Sequence, residues 1–230
     1  MTYLLISNKS WHQHLPKAIT EAVGSTCHLI STKDNFNYEH VKELAPKYIF
    51  VTHWSDIIPA KLYQNFEIII FHMTDLPYGR GGSPLQNLIM ADKKHTKISA
   101  IKCEAGLDTG AIYLKKDLSL QGSAQQIFAR ATDIMFLMMI EIIYTQPTPV
   151  AQHGECSIFK RRSPEQSDLF SFSQQHQHIE KIYDFIRMLD CDGYPHAFLQ
   201  LHDYRLSFRD AELKNNKVKC SVVIERKNEQ

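Results

Sequence analysis

Short unbroken apolar runs alternate along the chain with amphipathic stretches. Residues 2–6 (Thr-Tyr-Leu-Leu-Ile) read as a buried strand, and residues 11–23 as a helix with Ser10 as its N-cap. Strands follow at 26–31, 48–52 and 67–71, with a short helix at 38–44 between them. Runs such as Ile68-Ile69-Ile70 lack strict alternation, as expected for strands covered on both faces. This strand–helix–strand rhythm predicts an α/β fold, a doubly wound and mostly parallel sheet. Ser83-Pro84 reads as a helix start, with Ser as N-cap and Pro at the first helical position. Residues 98–102 and 111–114 read as a strand pair joined through the Gly106 and Gly110 region. Ser123 with Gln126 forms a capping box that opens a long helix to about residue 144. The texture changes around Gln146-Pro147-Thr148-Pro149. That predicts a main domain over 1–147 and a small C-terminal region over 148–230, with a helix at 178–189 and strands at 197–201, 204–208 and 218–224.

Composition narrows the class. The 230 residues, 43% hydrophobic, allow one domain, or one domain with an appendage. Twenty-six Lys and Arg against 25 Asp and Glu give a net charge of +1, which argues against binding nucleic acid by bulk electrostatics. Five cysteines without a CxxC pair predict reduced, buried thiols rather than a disulfide scaffold. The first residues lack a basic leader and a small-residue cleavage site. The longest greasy stretch, 134–140, falls short of the ~20 residues a spanning helix needs. A cytoplasmic protein with no membrane partner is expected. The 12 histidines show no HExxH, and no Cys/His quartet has ligand spacing, so no metal is expected.

Ligands of such sheets sit at the carboxyl ends of the strands. Two of those ends carry unusual residues. One is His53-Trp54-Ser55. The other is His72, followed by Thr74 and by the loop Tyr78-Gly79-Arg80-Gly81-Gly82-Ser83. A histidine leaving a buried strand suits acid–base work. The glycines let backbone approach a ligand, and Arg80 can grip phosphate or carboxylate. The loop lacks the Lys-Ser/Thr ending of a P-loop and follows the fourth strand, so neither standard glycine motif fits. Asp108, in the turn Leu107-Asp108-Thr109-Gly110, is either a turn former or the carboxylate partner of His72. The run Lys160-Arg161-Arg162 is a solvated surface or a phosphate contact.

The ordered set of His72, Leu76-Pro77, Arg80-Gly81, Ser83-Pro84, Gln86 and Leu107-Asp108-Thr109-Gly110 resembles the folate-dependent formyltransferase family over the α/β domain. The stretch 71–84, the His53-Trp54-Ser55 segment and the tail 159–195 resemble its sugar-nucleotide N-formyltransferases most, in particular those formylating a 4-amino sugar nucleotide in pseudaminic-acid-type pathways. The resemblance implies N10-formyltetrahydrofolate as co-substrate and a UDP- or dTDP-linked amino-dideoxy sugar as acceptor, in polysaccharide biosynthesis. It implies no nucleic-acid partner, and a homodimer through the C-terminal region. It implies His72 and Asp108 as catalytic residues, and Trp54, Ser55, Ile57, Ile58, Glu104, Leu107 and Asp108 around the folate. Thr74, Tyr78, Arg80, Gly81, Gly82, Ser83 and Arg161 would hold the substrate. The family's catalytic set also has an Asn two residues before the His, and here that position is Ile70. Either the chain is impaired or another donor serves the formyl oxygen: His53, counted with His72 and Asp108 among the candidate catalytic residues, or Ser55, Thr74 or a loop N–H. Two alternatives stay open: an enzyme acting on initiator methionyl-tRNA, whose relatives resemble longer chains with a basic C-terminal barrel, and a catalytically silent folate- or nucleotide-binding relative.

Overall fold

The computed structural model describes residues 1–226. In chain order the elements are β1 (Thr2–Ile6), α1 (Leu15–Val23), β2 (Thr26–Ile30), α2 (Tyr38–Leu44), β3 (Tyr48–Thr52), α3 (Ala60–Tyr63), β4 (Ile68–His72), β5 (Arg80–Gly81), α4 (Pro84–Met90), β6 (His95–Lys102), β7 (Ile112–Ser119), α5 (Ala124–Thr145), β8 (Ile158–Phe159), α6 (Leu169–Ser173), α7 (Ile179–Arg187), β9 (Ala197–Leu201), β10 (Tyr204–Lys214) and β11 (Lys217–Arg226). They divide into two compact units. The first comprises Met1–Gly81, Thr96–Leu118 and Ala129–Ile158; the second comprises Gly82–His95, Ser119–Phe128 and the chain from Phe159 onward.

The first unit is built on a six-stranded sheet of order β2-β1-β3-β4-β6-β7. Strands β2, β1, β3 and β4 run parallel, and β6 pairs antiparallel with β4. The α/β, mostly parallel architecture read from the sequence is therefore the one observed. Leu4, Leu5, Ile6, Ile49, Phe50, Val51, Ile68 and Ile69 are each at most 2% exposed, so successive residues are buried on opposite faces of the sheet. Each such side chain contributes roughly 1.5–3 kcal/mol by leaving water. That two-sided burial is why these strands lack alternation.

Two helix starts differ from expectation. The stretch expected as one helix over 11–23 is a single 3-10 turn at Ser10–His12 followed by α1, and Ser10 caps nothing there. Pro16 restarts the helix, since a residue without an N–H fits only the first turn. Ser83 sits at φ 50° and does not cap α4; its hydroxyl accepts the Arg162 N–H at 3.0 Å instead. Pro84 does occupy the first turn. The box at α5 forms as expected: Ser123 N–H donates to Gln126 Oε1 at 3.0 Å and Gln126 N–H to Ser123 Oγ at 3.4 Å.

The second unit carries the antiparallel sheet β11-β10-β9 and helices α4, α6 and α7. Phe185 and Ile186 of α7 are buried, and Phe172 stacks on Phe185 at 4.0 Å. Arg187 is 4% exposed. Its Nε donates to Asp184 Oδ1 at 2.6 Å, and its Nη1 donates to the Leu120 and Gly122 carbonyls at 2.7 and 2.8 Å. A buried guanidinium is tolerated because its donors meet acceptors.

Candidate active site

Strands β3 and β4 lie side by side and end together, with Thr52 paired to Phe71. The next residues out are His53 and His72. His72 is 8% exposed, and its Nε2 lies 2.8 Å from the Gly79 carbonyl. A carbonyl oxygen only accepts, so Nε2 carries the hydrogen and Nδ1 is the nitrogen that can take up or release a proton. That nitrogen faces Asp108 Oδ2 at 3.5 Å. The carboxylate is held in turn by the Gly81 N–H, which donates to the same Oδ2 at 2.9 Å. The buried Thr74 hydroxyl donates to the Gly79 carbonyl as well, at 3.3 Å.

Asp108 reaches His72 by an indirect route. Because β6 is antiparallel to β4, it ends beside Ile68, and Cys103 N–H donates to the Ile68 carbonyl at 2.8 Å. The turn 104–110 then returns the chain to the opposite end of β4. Asp108 sits at φ 52°, which a residue with a Cβ adopts only when its surroundings hold it there. Gly110 allows the return: a Cβ there would lie 1.7 Å from the Lys102 carbonyl oxygen. Gln152 ties the turn down, its Nε2 donating to the Asp108 and Gly110 carbonyls at 2.8 Å each. Its Oε1 accepts from Arg80 Nε at 3.2 Å and Nη2 at 2.7 Å. Ser157 holds the glycine loop, its hydroxyl accepting from Gly79 N–H at 2.8 Å and its carbonyl from Arg80 N–H at 3.0 Å.

Beside this pair lies a buried imidazole network. His12 is fully buried, with Nδ1 2.7 Å from Ser7 Oγ and 3.1 Å from Thr52 Oγ1, and Nε2 3.0 Å from Thr132 Oγ1. Its ring is 5.2 Å from that of His53, which sits at φ 49° with Nε2 buried. Burial above all, then the neighbouring His12 and Lys9, pushes the His53 pKa down to about 3; burial, His14 and Lys9 push that of His12 down to about 4. Both rings are neutral at physiological pH, so neither is a cationic acid there.

The residues expected around the folate are sorted by the structure. Trp54 is half-buried, edge-on to Phe36 at 6.1 Å, and Ile58 belongs to the core. Ser55, Ile57, Glu104 and Leu107 face solvent, Ile57 being 92% exposed. Tyr78, Arg80 and Gly81 are partly buried in the first unit. Gly82, Ser83 and Arg161 belong to the second unit, where a Cβ on Gly82 would sit 2.5 Å from Arg161 Cβ. Ile70 lies on the His72 face of β4, opposite Ile101 and Val51, and packs against the core cluster. Gln152, Ser157 and His12 escaped the sequence reading. They sit in ordinary polar or apolar contexts, and only their contacts distinguish them. Among the described residues no group of His, Cys, Asp or Glu is placed to hold a metal ion, and no helix is long and apolar enough to cross a membrane.

Comparison with known proteins assigns this geometry to a family. The family model "Formyl transferase" matches residues 7–133, more than half of the chain, and the chain belongs to that family of folate-dependent formyltransferases. A second model, "Methionyl-tRNA formyltransferase, C-terminal domain", matches residues 164–225. The solved structure of a methionyl-tRNA formyltransferase from Clostridium thermocellum is 45% identical, covers 98% of this chain and 99% of that one, and superposes with a TM-score of 0.93. A methionyl-tRNA formyltransferase of a Nitratiruptor species is 27% identical over 140 residues, 59% of this chain and 46% of that protein. The chain thus spans about half the length of the first curated relatives it matches. A 4-N formyltransferase from Francisella tularensis shares the fold, with a TM-score of 0.68 over 87% of this chain and 93% of that one, at 14% identity.

These findings correct the sequence reading of the acceptor. A nucleotide-linked amino sugar, polysaccharide biosynthesis and the absence of a nucleic-acid partner were expected; the similarity runs instead to proteins named for methionyl-tRNA, in both parts of the chain. The physical reason is that a net charge of +1 reports bulk charge and not the acceptor. The His, Asp and glycine-loop pattern belongs to the shared formyl-transfer domain and does not distinguish acceptors.

Proposed function

We propose that this chain moves a formyl group from N10-formyltetrahydrofolate to the amine of an aminoacyl-tRNA, methionyl-tRNA being the acceptor named for its relatives. The observation that carries the chemistry is the His72 Nδ1–Asp108 pair, 3.5 Å apart, with Nε2 fixed by the Gly79 carbonyl. The acceptor rests on the C-terminal match over 164–225 and on the 45% identical relative.

The residues fit the co-substrate. The turn 104–107 is exposed, and half-buried Trp54 offers a ring. Trp54, Ser55, Ile57, Glu104 and Leu107 would hold it, with Ile58 supporting them from the core. When bound, it supplies an activated formyl group. The acceptor amine attacks the formyl carbon as the neutral base and His72 Nδ1 takes its proton, which would pass to N10 of the departing tetrahydrofolate as the N10–formyl bond breaks. Asp108 orients the ring and stabilises the imidazolium. With Ile70 in place of an amide on this face of β4, the protonated Nδ1 is one donor for the formyl oxygen as it gains charge, beside Ser55, Thr74 and the loop N–H groups. His53, neutral and packed beside His12, shapes the pocket wall. Tyr78, Arg80 and Gly81 with Thr74, all in the first unit, form the loop against which the acceptor sits. Catalysis is assigned to 1–147, and 148–230 is assigned a share of acceptor binding. Five free thiols fit the reducing cytoplasm as the site of action.

The test is formyl transfer from labelled N10-formyltetrahydrofolate to methionyl-tRNA, with free methionine as control. His72→Ala and Asp108→Ala are each expected to cut turnover by about 10³-fold or more while the fold stays intact. Wild-type turnover in both variants removes the assignment.

A further inference from the structure

The structure assigns a positioning role to Gln152: it sets the Asp108 carboxylate against His72 by closing a ring of hydrogen bonds through Arg80. This rests on the formyl-transfer reading of the same site. From Arg80, the guanidinium donates twice to Gln152 Oε1. Gln152 Nε2 donates to the main-chain carbonyls of Asp108 and Gly110. The Asp108 carboxylate accepts the N–H of Gly81, the residue next to Arg80 in the chain. All the members lie in the first unit.

The amide uses both of its N–H groups and its oxygen, and its two ends are not interchangeable. Arg80 offers only donors and the turn offers only carbonyls, so the amide orientation is dictated by its partners. Asp108 stands at φ 52°, and such a conformation persists only where neighbours over-determine it. Gln152 holds the carbonyls of Asp108 and of the residue two beyond it, which fixes the 108–109 and 110–111 peptide planes that follow the strained residue. The Gly81 N–H then fixes the carboxylate itself. Removing Gln152 leaves the Gly81 N–H on the carboxylate but frees the turn that carries it to relax. The rate depends on the orientation of the His72 imidazolium, since a misplacement of about 1 Å at a reacting group costs about 10²-fold.

Two variants test this. Gln152→Met keeps the shape without hydrogen bonds. Gln152→Glu keeps an acceptor for Arg80 but loses both donors to the turn, and it remains informative if the Met variant folds poorly. Each is expected to lower kcat by about 10- to 10²-fold, the range a small misplacement produces. Because the same turn carries Glu104 and Leu107, the KM for formyl-folate is expected to rise as well, and the clamp is read in kcat at saturating formyl-folate. In an Asp108→Asn background, Gln152→Met should have little further effect, because it acts through Asp108. Wild-type kcat in Gln152→Glu, or full additivity with Asp108→Asn, overturns the proposal. The 15N shifts of the His72 ring give a readout free of turnover. If the wild type formylates no amine, the functional reading fails by itself. Gln152→Met then supports the clamp by moving those shifts in the same sense as Asp108→Asn, and overturns it by leaving them unchanged.

Discussion

Mild acid should strip stability from this protein, and His12 sets how steeply. The ring is 0% exposed and lies within 3.1 Å of the hydroxyls of Ser7, Thr52 and Thr132. Burial, more than the nearby His14 and Lys9, depresses its pKa to about 4, and that of His53 to about 3. In the unfolded chain both rings titrate near 6.5. Below that value the unfolded state binds protons that the native state refuses, so acid favours unfolding. The contribution is whole above about pH 6.5 and is lost as pH falls toward the folded values. Each ring adds a slope of about 1.4 kcal/mol per pH unit, or about 2 kcal/mol for each between pH 6.5 and 5. Against a typical total of about 5–15 kcal/mol, the pair removes a large fraction. Urea unfolding between about pH 7.5 and about pH 5 measures this above the range where most carboxylates titrate. His12→Asn should lower stability at neutral pH by losing hydrogen bonds. Its dependence on pH should nevertheless be shallower than wild type, by about 1.4 kcal/mol per unit. Parallel slopes for wild type and variant would refute the argument, whatever the offset between them.

Two further outcomes follow from packing. Gly110→Ala forces a Cβ to within 1.7 Å of the Lys102 carbonyl oxygen, so the backbone must shift by more than an ångström. The turn carrying Asp108 moves with it, and kcat should fall by about 10²-fold with a stability loss of about 1–3 kcal/mol, read by formyl transfer and thermal melting. Arg187→Met leaves Asp184 buried without the guanidinium and also abandons the Leu120 and Gly122 carbonyls. A loss of about 3–5 kcal/mol in unfolding free energy is expected, and a variant as stable as wild type in urea would show that this pair is dispensable.

Much of this architecture is written in local pattern. The continuous runs at β1, β3 and β4 announce strands buried on both faces, and the Ser123 and Gln126 box announces α5, because burial and capping depend on neighbours in the chain. His72 and Asp108 were also visible, as polar residues in a resemblance carried by an ordered motif. The helix starts were less legible. Ser10 and Ser83 have capping chemistry, yet Pro16 and the contact with Arg162 decide what each does.

The tertiary structure alone decided the rest. That β6 runs antiparallel, so that Asp108 must double back along β4 to reach His72, is a choice among pairings that local sequence does not encode. Ile57 and Ile58 read alike in the chain, but one is solvated and the other is core. Gln152 is an ordinary polar residue until folding brings Arg80 and the Asp108 turn to its two ends. Division into two units that interleave along the chain is likewise a property of contacts. Sequence by itself determined which segments form two-sided buried strands and which chemistry is available. Folding decided which of those groups meet, because hydrogen bonds and ion pairs depend on distances in space, and those between residues far apart in sequence are set only once the core is packed.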